Sequence, residues 1–377
     1  MKLKPYQQCT VCVLDTTDLD IVFDVNGTCN HCLEWMPRIE KLPKTEEEAQ
    51  LNLAAIAKNI KEAGQDNVYN CMIGLSGGVD SSYIVYLAHK LGLRPLIVHF
   101  DNGWNSELAI SNIEKLVTKC DFEFTTLIVD WDEFRELQKA YLRASVIDIE
   151  VATDHAIIAT MFNYAKKYKI KHLLSGGNIA TETGMPAAWT WPKKDLTNLK
   201  NIHRKFSRIP LRTYPTRSIW RAAYDKKFSN QIVDVRILDH VNYSKTSAIK
   251  LLEDEFGWQY YGGKHYESVF TKFYQAYILP RKFNVDKRLV HLSSLIRNQE
   301  MTRDEALLEL RKDLYPNDTL RLDKEYVLKK LQLSDSEFDE IMGAEPVEHI
   351  EFGSDYTKME IVKKIYRMFF KKTNPSR

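Results

Sequence analysis

The chain has 377 residues, 44% of them hydrophobic and 28% charged, with a formal net charge of +2 at pH 7. That length buries a full core for one main domain with smaller additions, and the near-neutral balance makes no global claim on nucleic acid. The first residues, MKLKPYQQCTVC, hold no apolar run of signal-peptide length, and no segment approaches the about 18 unbroken apolar residues of a membrane span, so the expected location is the cytoplasm.

Four of the six cysteines open the chain as two C-x-x-C pairs, Cys9/Cys12 and Cys29/Cys32, sixteen residues apart. Each pair turns the backbone tightly enough to aim two sulfurs at one point, so the four thiolates form a candidate structural zinc site. The other readings are a redox dithiol or a disulfide pair, and a cytoplasmic chain does not keep structural disulfides. His31 is expected outside the filled shell. Between the pairs, alternating apolar and polar residues with a turn at Asn26-Gly27 predict a zinc-ribbon hairpin, and residues 1–40 are taken as this module.

A helix is predicted over TEEEAQLNLAAIAKNIKEAG, then a buried strand over VYNCMIGLS, and a second helix over DSSYIVYLAHKLGL. The glycines of GLSGGVDSSY therefore sit at a strand-to-helix turn. There the free N–H groups and positive helix end hold an anion, Gly77 and Gly78 admit it closely, and Ser76, Ser81 and Ser82 add hydroxyls. RPLIVHFDNGW, FTTLIVD and KHLLSGGN supply three more strands, and the alternation with helices predicts a doubly wound parallel α/β sheet. Its ligands collect at the carboxyl ends of strands where the strand order reverses. GWQYYGGKH, residues 257–265, falls short of a Walker A loop by spacing and by the missing Ser/Thr after Lys264.

SGGVDSS resembles the signature of the PP-loop ATP pyrophosphatases (adenine nucleotide alpha hydrolase-like), which adenylate a substrate and release pyrophosphate. The resemblance implies that Ser76, Gly77, Gly78, Asp80, Ser81 and Ser82 hold pyrophosphate, with Asp80 placed for Mg²⁺. It further implies that the segment 99–103, with Phe100 and Asp101, faces the adenosine of ATP. Gly176, Gly177, Asn178 and Glu182 then close the far side near the α-phosphate, although each also suits a plain turn or cap.

From Lys193 to Arg236 twelve Lys/Arg face three Asp/Glu, with aromatics interleaved. The segment 189–236 reads as a lid that holds either RNA or a phosphorylated or carboxylated sugar. GWQYYGGKHYESVFTKFYQAYILPRKFNVDKRLVHLSSLI, residues 257–296, resembles the N-acetyl sugar amidotransferases of O-antigen and flagellar-glycan clusters, and with the earlier motifs the likeness covers about residues 1–315. It implies that Lys264, His265 and Glu267 enter the active site, and that Lys282, Asp286, Lys287 and Arg288 support it or touch phosphate. On this reading Asp80, Glu182, Lys264 and His265 are catalytic, ATP, Mg²⁺ and structural Zn²⁺ are the cofactors, and an acetamido group on a sugar becomes an acetamidino group.

Cys71, in a strand, and Cys120, at a helix end, lack the surroundings of a glutaminase nucleophile, so ammonia is expected from a separate glutaminase subunit. No nucleic-acid partner is expected on this reading, and a homo-oligomer is compatible with it. The PP-loop domain is taken as residues 41–300, followed by a helical region, 301–377, with helix starts at Thr302 and at Ser334 or Ser336. The basic amphipathic tail suits a helix packed on the main domain or one resting on an anionic membrane. A tRNA-modifying PP-loop enzyme and an inactive zinc-ribbon binding protein are the alternatives from other classes.

Overall fold

The computed structural model of the protein describes residues 5–228, 232–262 and 266–370. Five parallel strands, β1 (Cys71–Gly74), β2 (Pro95–Asp101), β3 (Phe124–Ile128), β4 (His172–Leu174) and β5 (Val233–Val235), lie in the order β3-β2-β1-β4-β5. The chain lays β1, β2 and β3 outward in one direction and then crosses to the other side of β1, so the order reverses between β1 and β4. Ile73 sits opposite Ile97 on one side and Leu174 on the other.

Two helices precede the sheet, α1 (Asn30–Ile39) and α2 (Glu46–Ala63). Between strands run α3 (Val79–Lys90), α4 (Glu107–Cys120), α5 (Trp131–Arg143), α6 (Val151–Lys167), α7 (Leu196–Phe206) and α8 (Ile219–Phe228), and α9 (Lys245–Phe256) follows β5. Cys71 and Ile73 pack with Leu53 of α2, Ile84 of α3 and Leu252 of α9, whereas Met72 faces Met161 and Ala165 of α6. Burial on both faces is why β1 reads as an unbroken apolar run and not as an alternating one.

The remainder is helical: α10 (Val269–Phe273), a π-turn at Tyr274–Ile278, α11 (Leu279–Phe283), α12 (Arg288–Arg297), α13 (Arg303–Leu310), α14 (Asn317–Leu331), α15 (Asp335–Gly343) and α16 (Asp355–Phe370). Thr302 caps α13 and Ser334 caps α15, each in a capping box with the glutamate three residues on. These helices do not form a separate body. Leu14 and Ile21 of the cysteine module share one core with Leu142 of α5, Val290 of α12 and Ala306 of α13.

Two expectations change. The hairpin between the cysteine pairs shrinks to the isolated bridges Gln8 with Asp15 and Phe23 with Cys29. Its turn is present, with Gly27 at φ +78° and its N–H donating to the Asp24 carbonyl at 3.0 Å. Upstream, however, Asp15 and Asp18 accept from the N–H groups of Thr17 and Asp20, and these local turns take the place of a ladder. The segment 189–236 is likewise not all lid, since β5 within it completes the sheet beside β4.

Candidate active site

The glycine loop, residues 75–78, leaves the carboxyl end of β1 and ends at Gly78, the N-cap of α3. Gly77 takes φ +83°, and a Cβ there would lie 2.7 Å from the Ala109 carbonyl oxygen of α4, so only glycine meets both the turn and the contact. Three N–H groups of the turn end on hydroxyl oxygens: Ser76 on Ser81 Oγ at 3.3 Å, Gly78 on Ser76 Oγ at 3.3 Å, and Val79 on the Tyr261 hydroxyl at 3.1 Å. This is a backbone nest at a helix N-terminus, built to hold anionic oxygen.

Ser76, Gly78, Asp80 and Ser81 line a cavity of about 260 Å³ together with Gly176, Gly177 and Glu182 from the loop after β4. Lys245, Tyr261 and Glu267 complete its wall. The Tyr243 hydroxyl donates to Asp80 Oδ1; burial, and then the Asp80 charge, push the Tyr243 phenol well above its ordinary range, which keeps it a donor. Three carboxylates thus stand against one lysine in the described part of this wall. Lys264 and His265 lie outside the described residues.

Other expected residues shape the loops and do not line this cavity. Gly77 makes the turn. Ser82 is fully buried one turn into α3. Asn178 is fully buried, its Oδ1 accepting from the Thr181 N–H at 2.8 Å and hydroxyl at 3.1 Å while its Nδ2 donates to the Gly176 carbonyl. Asp101 Oδ1 accepts from the Gly103 N–H at 2.8 Å and from Asn105 Nδ2 at 3.1 Å, ending β2.

A second cavity of about 430 Å³ shares Ser76 and Glu267 with the first. Phe100, Val98, Ile157 and Met161 give it an apolar side beside Gly74, where a Cβ would meet the Met161 methyl at 3.5 Å. Its opposite side is charged. Lys193 Nζ lies 2.9 and 2.7 Å from the two Asp148 oxygens and 3.0 Å from Asp154 Oδ2, and Lys287 Nζ lies 3.4 Å from Glu150 Oε2. Burial alone would raise the Asp148 carboxyl, but Lys193 and Lys287 override it and hold it below its ordinary value. Burial likewise opposes the Lys193 charge, and Asp154 and Asp148 prevail and raise it.

Of the charged residues expected from the block at 257–296, Glu267 and Lys287 reach the cavities. Lys282 instead donates to the carbonyls of Ile341 and Ala344 at the end of α15. Arg288 pairs with Asp286 at 2.8 Å and donates to the carbonyls of Glu309, Leu310 and Lys312 at the end of α13. Those three residues tie helices together, away from the glycine loop. Sequence reasoning missed Tyr243, Lys245 and the Asp148–Glu150–Asp154 group, which carry no motif, and gave no role to Tyr261 within the 257–296 block; Lys193 was visible only as one charge in a basic run.

The cysteine site stands apart. Cys9, Cys12, Cys29 and Cys32 are buried, with all four sulfurs within 4.8 Å of one another, Cys12 to Cys29 at 3.7 Å and Cys9 to Cys32 at 4.0 Å. Tetrahedral Zn–S bonds of about 2.3 Å set S···S near ~3.8 Å, so the donor set fits zinc. The N–H groups of Val11, Cys12 and Cys29 point at Cys9 Sγ, and that of Cys32 at Cys29 Sγ, at 3.3–3.4 Å. Hydrogen bonding from Cys12 pulls the Cys9 thiol down, while contact with the same Cys12 sulfur pushes Cys29 and Cys32 up. Four thiolates do not coexist there without a cation. His31 Nε2 is 2.7 Å from Asp18 Oδ2 and stays outside the sulfur cluster. Arg303 of α13 donates to the carbonyls of Cys9 and Cys12, which fastens the module to the C-terminal helices.

Residues 267–366 match the family model described as "LPS biosynthesis protein WbpG-like, C-terminal domain", LPS being lipopolysaccharide. That segment, about a quarter of the chain, is similar to this domain. The match begins at Glu267, inside the block that resembles the sugar amidotransferases, and this WbpG-like segment supplies Glu267, Ser268, Thr271, Gln275 and Lys287 to the larger cavity. A tRNA(Ile)-lysidine synthase of Chlamydia felis is 37% identical over 59 residues, which is 16% of this chain and 18% of that protein. Among solved structures, NMN synthetase from Francisella tularensis covers 78% of this chain and 98% of its own at 14% identity and a TM-score of 0.33. NAD+ synthetase from Burkholderia pseudomallei covers 59% and 93% at 15% identity and a TM-score of 0.31. The NH3-dependent NAD synthetase of Campylobacter jejuni covers 35% and 58% at 13% identity and a TM-score of 0.28. Those scores are low, so the doubly wound parallel fold rests here on the strand order itself.

Proposed function

We propose that the protein is an ATP-dependent amidotransferase that converts the acetamido group of an N-acetylated sugar, nucleotide-linked or nonulosonic, to an acetamidino group in bacterial O-antigen or flagellin-glycan biosynthesis. A separate glutaminase supplies the ammonia. One juxtaposition carries the reading: the WbpG-like segment and the glycine loop meet in the walls of two cavities that share Ser76 and Glu267.

An acetamide carbonyl is a poor electrophile, and its oxygen is a poor leaving group. In the proposed reaction the amide oxygen attacks the α-phosphorus of ATP and the bond to pyrophosphate breaks. Ammonia then adds to the imidate carbon and the C–O bond to AMP breaks, leaving the amidine. The N–H groups of residues 76, 78 and 79 and the N-terminal end of α3 receive the leaving pyrophosphate. Val98, Ile157 and Met161 beside Gly74 offer a slot for the flat adenine. Asp80, Glu182 and Glu267 are the carboxylates that would hold Mg²⁺, whose charge would offset that of the leaving pyrophosphate. Lys264 is assigned to phosphate and His265 to the ammonium proton. Neither remaining cysteine offers a thiolate for glutamine, because burial pushes Cys71 up to about 12 and Cys120 up to about 11.

The local likeness to a tRNA(Ile)-lysidine synthase favours a second reading, a tRNA-modifying enzyme. Against it, Lys193 is engaged by two carboxylates in the cavity wall, and Arg217 and Arg221 both pair with Asp225. The test is turnover of an N-acetylated or diacetamido sugar with ATP, Mg²⁺ and ammonium. The expected products are AMP, pyrophosphate and a sugar lighter by the difference between oxygen and NH. Glutamine alone should fail, a cognate glutaminase should restore its use, and Asp80→Ala should abolish turnover. ADP as the main nucleotide product, or modified tRNA, would overturn the proposal.

A further inference from the structure

The geometry points to Tyr261 as a further residue of the nucleotide site, whose hydroxyl holds the place of a phosphate oxygen on Val79 N–H and is exchanged for pyrophosphate when nucleotide binds. The inference rests on reading the glycine loop as the pyrophosphate site. Of the three N–H groups that end on hydroxyls, those of Ser76 and Gly78 are met from the first turn of α3 and from the loop, by serines that release them through a rotation about one bond. Val79 N–H is met from 182 residues away in sequence, by the Tyr261 hydroxyl at 3.1 Å. The same hydroxyl lies 3.4 Å from the point where a Gly78 Cβ would sit, and Tyr261 lines the small cavity. It therefore occupies volume at the mouth of the nest as well as one of its donors.

The segment that carries Tyr261 has one fixed end near the nest. Gln259 is held to α4 by a reciprocal pair, its N–H donating to Asn112 Oδ1 at 2.9 Å and its carbonyl accepting from Asn112 Nδ2 at 2.8 Å. Two residues later the Tyr261 hydroxyl meets Val79 N–H, and Gly262 follows at φ +83° with nothing within 4 Å of its missing Cβ, leaving open space beside the backbone. The Tyr261 ring also meets the buried Trp258, with centroids 5.6 Å apart, so its displacement changes the surroundings of an indole. A phosphate oxygen accepts from an N–H more strongly than a neutral phenol does, which sets the direction of exchange.

The experiment is calorimetric titration of the full chain with Mg-pyrophosphate, comparing wild type with Tyr261→Phe. Loss of the competing hydroxyl should tighten pyrophosphate binding by about two- to tenfold, the range of one net hydrogen bond. In wild type, ligand should also change tryptophan emission, and the change should vanish in Trp258→Phe. If wild type binds pyrophosphate and Tyr261→Phe binds it equally or more weakly, the phenol is not a surrogate, although the loop reading stands. If neither protein binds pyrophosphate or ATP, the loop reading falls and the inference falls with it.

Discussion

Gly77→Ala tests the glycine loop through stability and binding together. At φ +83° a side chain costs about 1–2 kcal/mol against its preferred regions. The new methyl would also lie 2.7 Å from the Ala109 carbonyl oxygen and 3.2 Å from its Cα and carbonyl carbon, which belong to a fully buried residue of α4. Crowding of that kind costs about 1–3 kcal/mol, and the stiffer unfolded chain offsets about 0.4–1 kcal/mol, so the expected net loss is about 1–4.6 kcal/mol. Gly262→Ala is the control, with the same φ and no neighbour within 4 Å, and should lose only the backbone part. Urea unfolding at fixed pH should show the midpoint of Gly77→Ala well below that of Gly262→Ala at an unchanged slope, and Mg-pyrophosphate binding should fail in Gly77→Ala. Equal midpoints for the two variants would refute the claimed contact with α4.

If the four cysteines hold zinc, Cys12→Ser should release about one equivalent of metal and unfold more readily, because binding and folding are coupled there; full metal occupancy in that variant would contradict the assignment. His349 is buried, accepts from the Asp148 N–H at Nε2 and lies 3.1 Å from Asn198 Oδ1 at Nδ1, and burial moves it down to about 4 from 6.5. The unfolded chain therefore binds its proton first as pH falls, so stability drops between about pH 6.5 and pH 4, by on the order of 3 kcal/mol. Thermal melting of His349→Asn across that window should show a correspondingly shallower loss; parallel curves would remove His349 as the cause.

Several features were fixed by local chemistry and were readable from the chain. The four cysteines at knuckle spacing, the strand-to-helix position of the glycine loop and the caps at Thr302 and Ser334 each depend on residues near one another in the chain. Anion binding at the loop follows from the same short-range geometry, because a helix N-terminus leaves its first N–H groups without partners wherever it occurs.

Tertiary structure decided what those features face. Lys282 and Arg288 became clamps on distant carbonyls, because a polar side chain bonds whichever partner the packing brings near, and the sequence does not encode that distance. Lys193 left the basic run for a cavity wall when Asp148 and Asp154 met it across the connection between α6 and α7. Tyr261 arrives at Val79 only because α9 packs on α3 and returns the chain past the loop. Hydrogen bonds act over about 3 Å, so contacts between residues 182 positions apart come into being only when the sheet and its helices have closed.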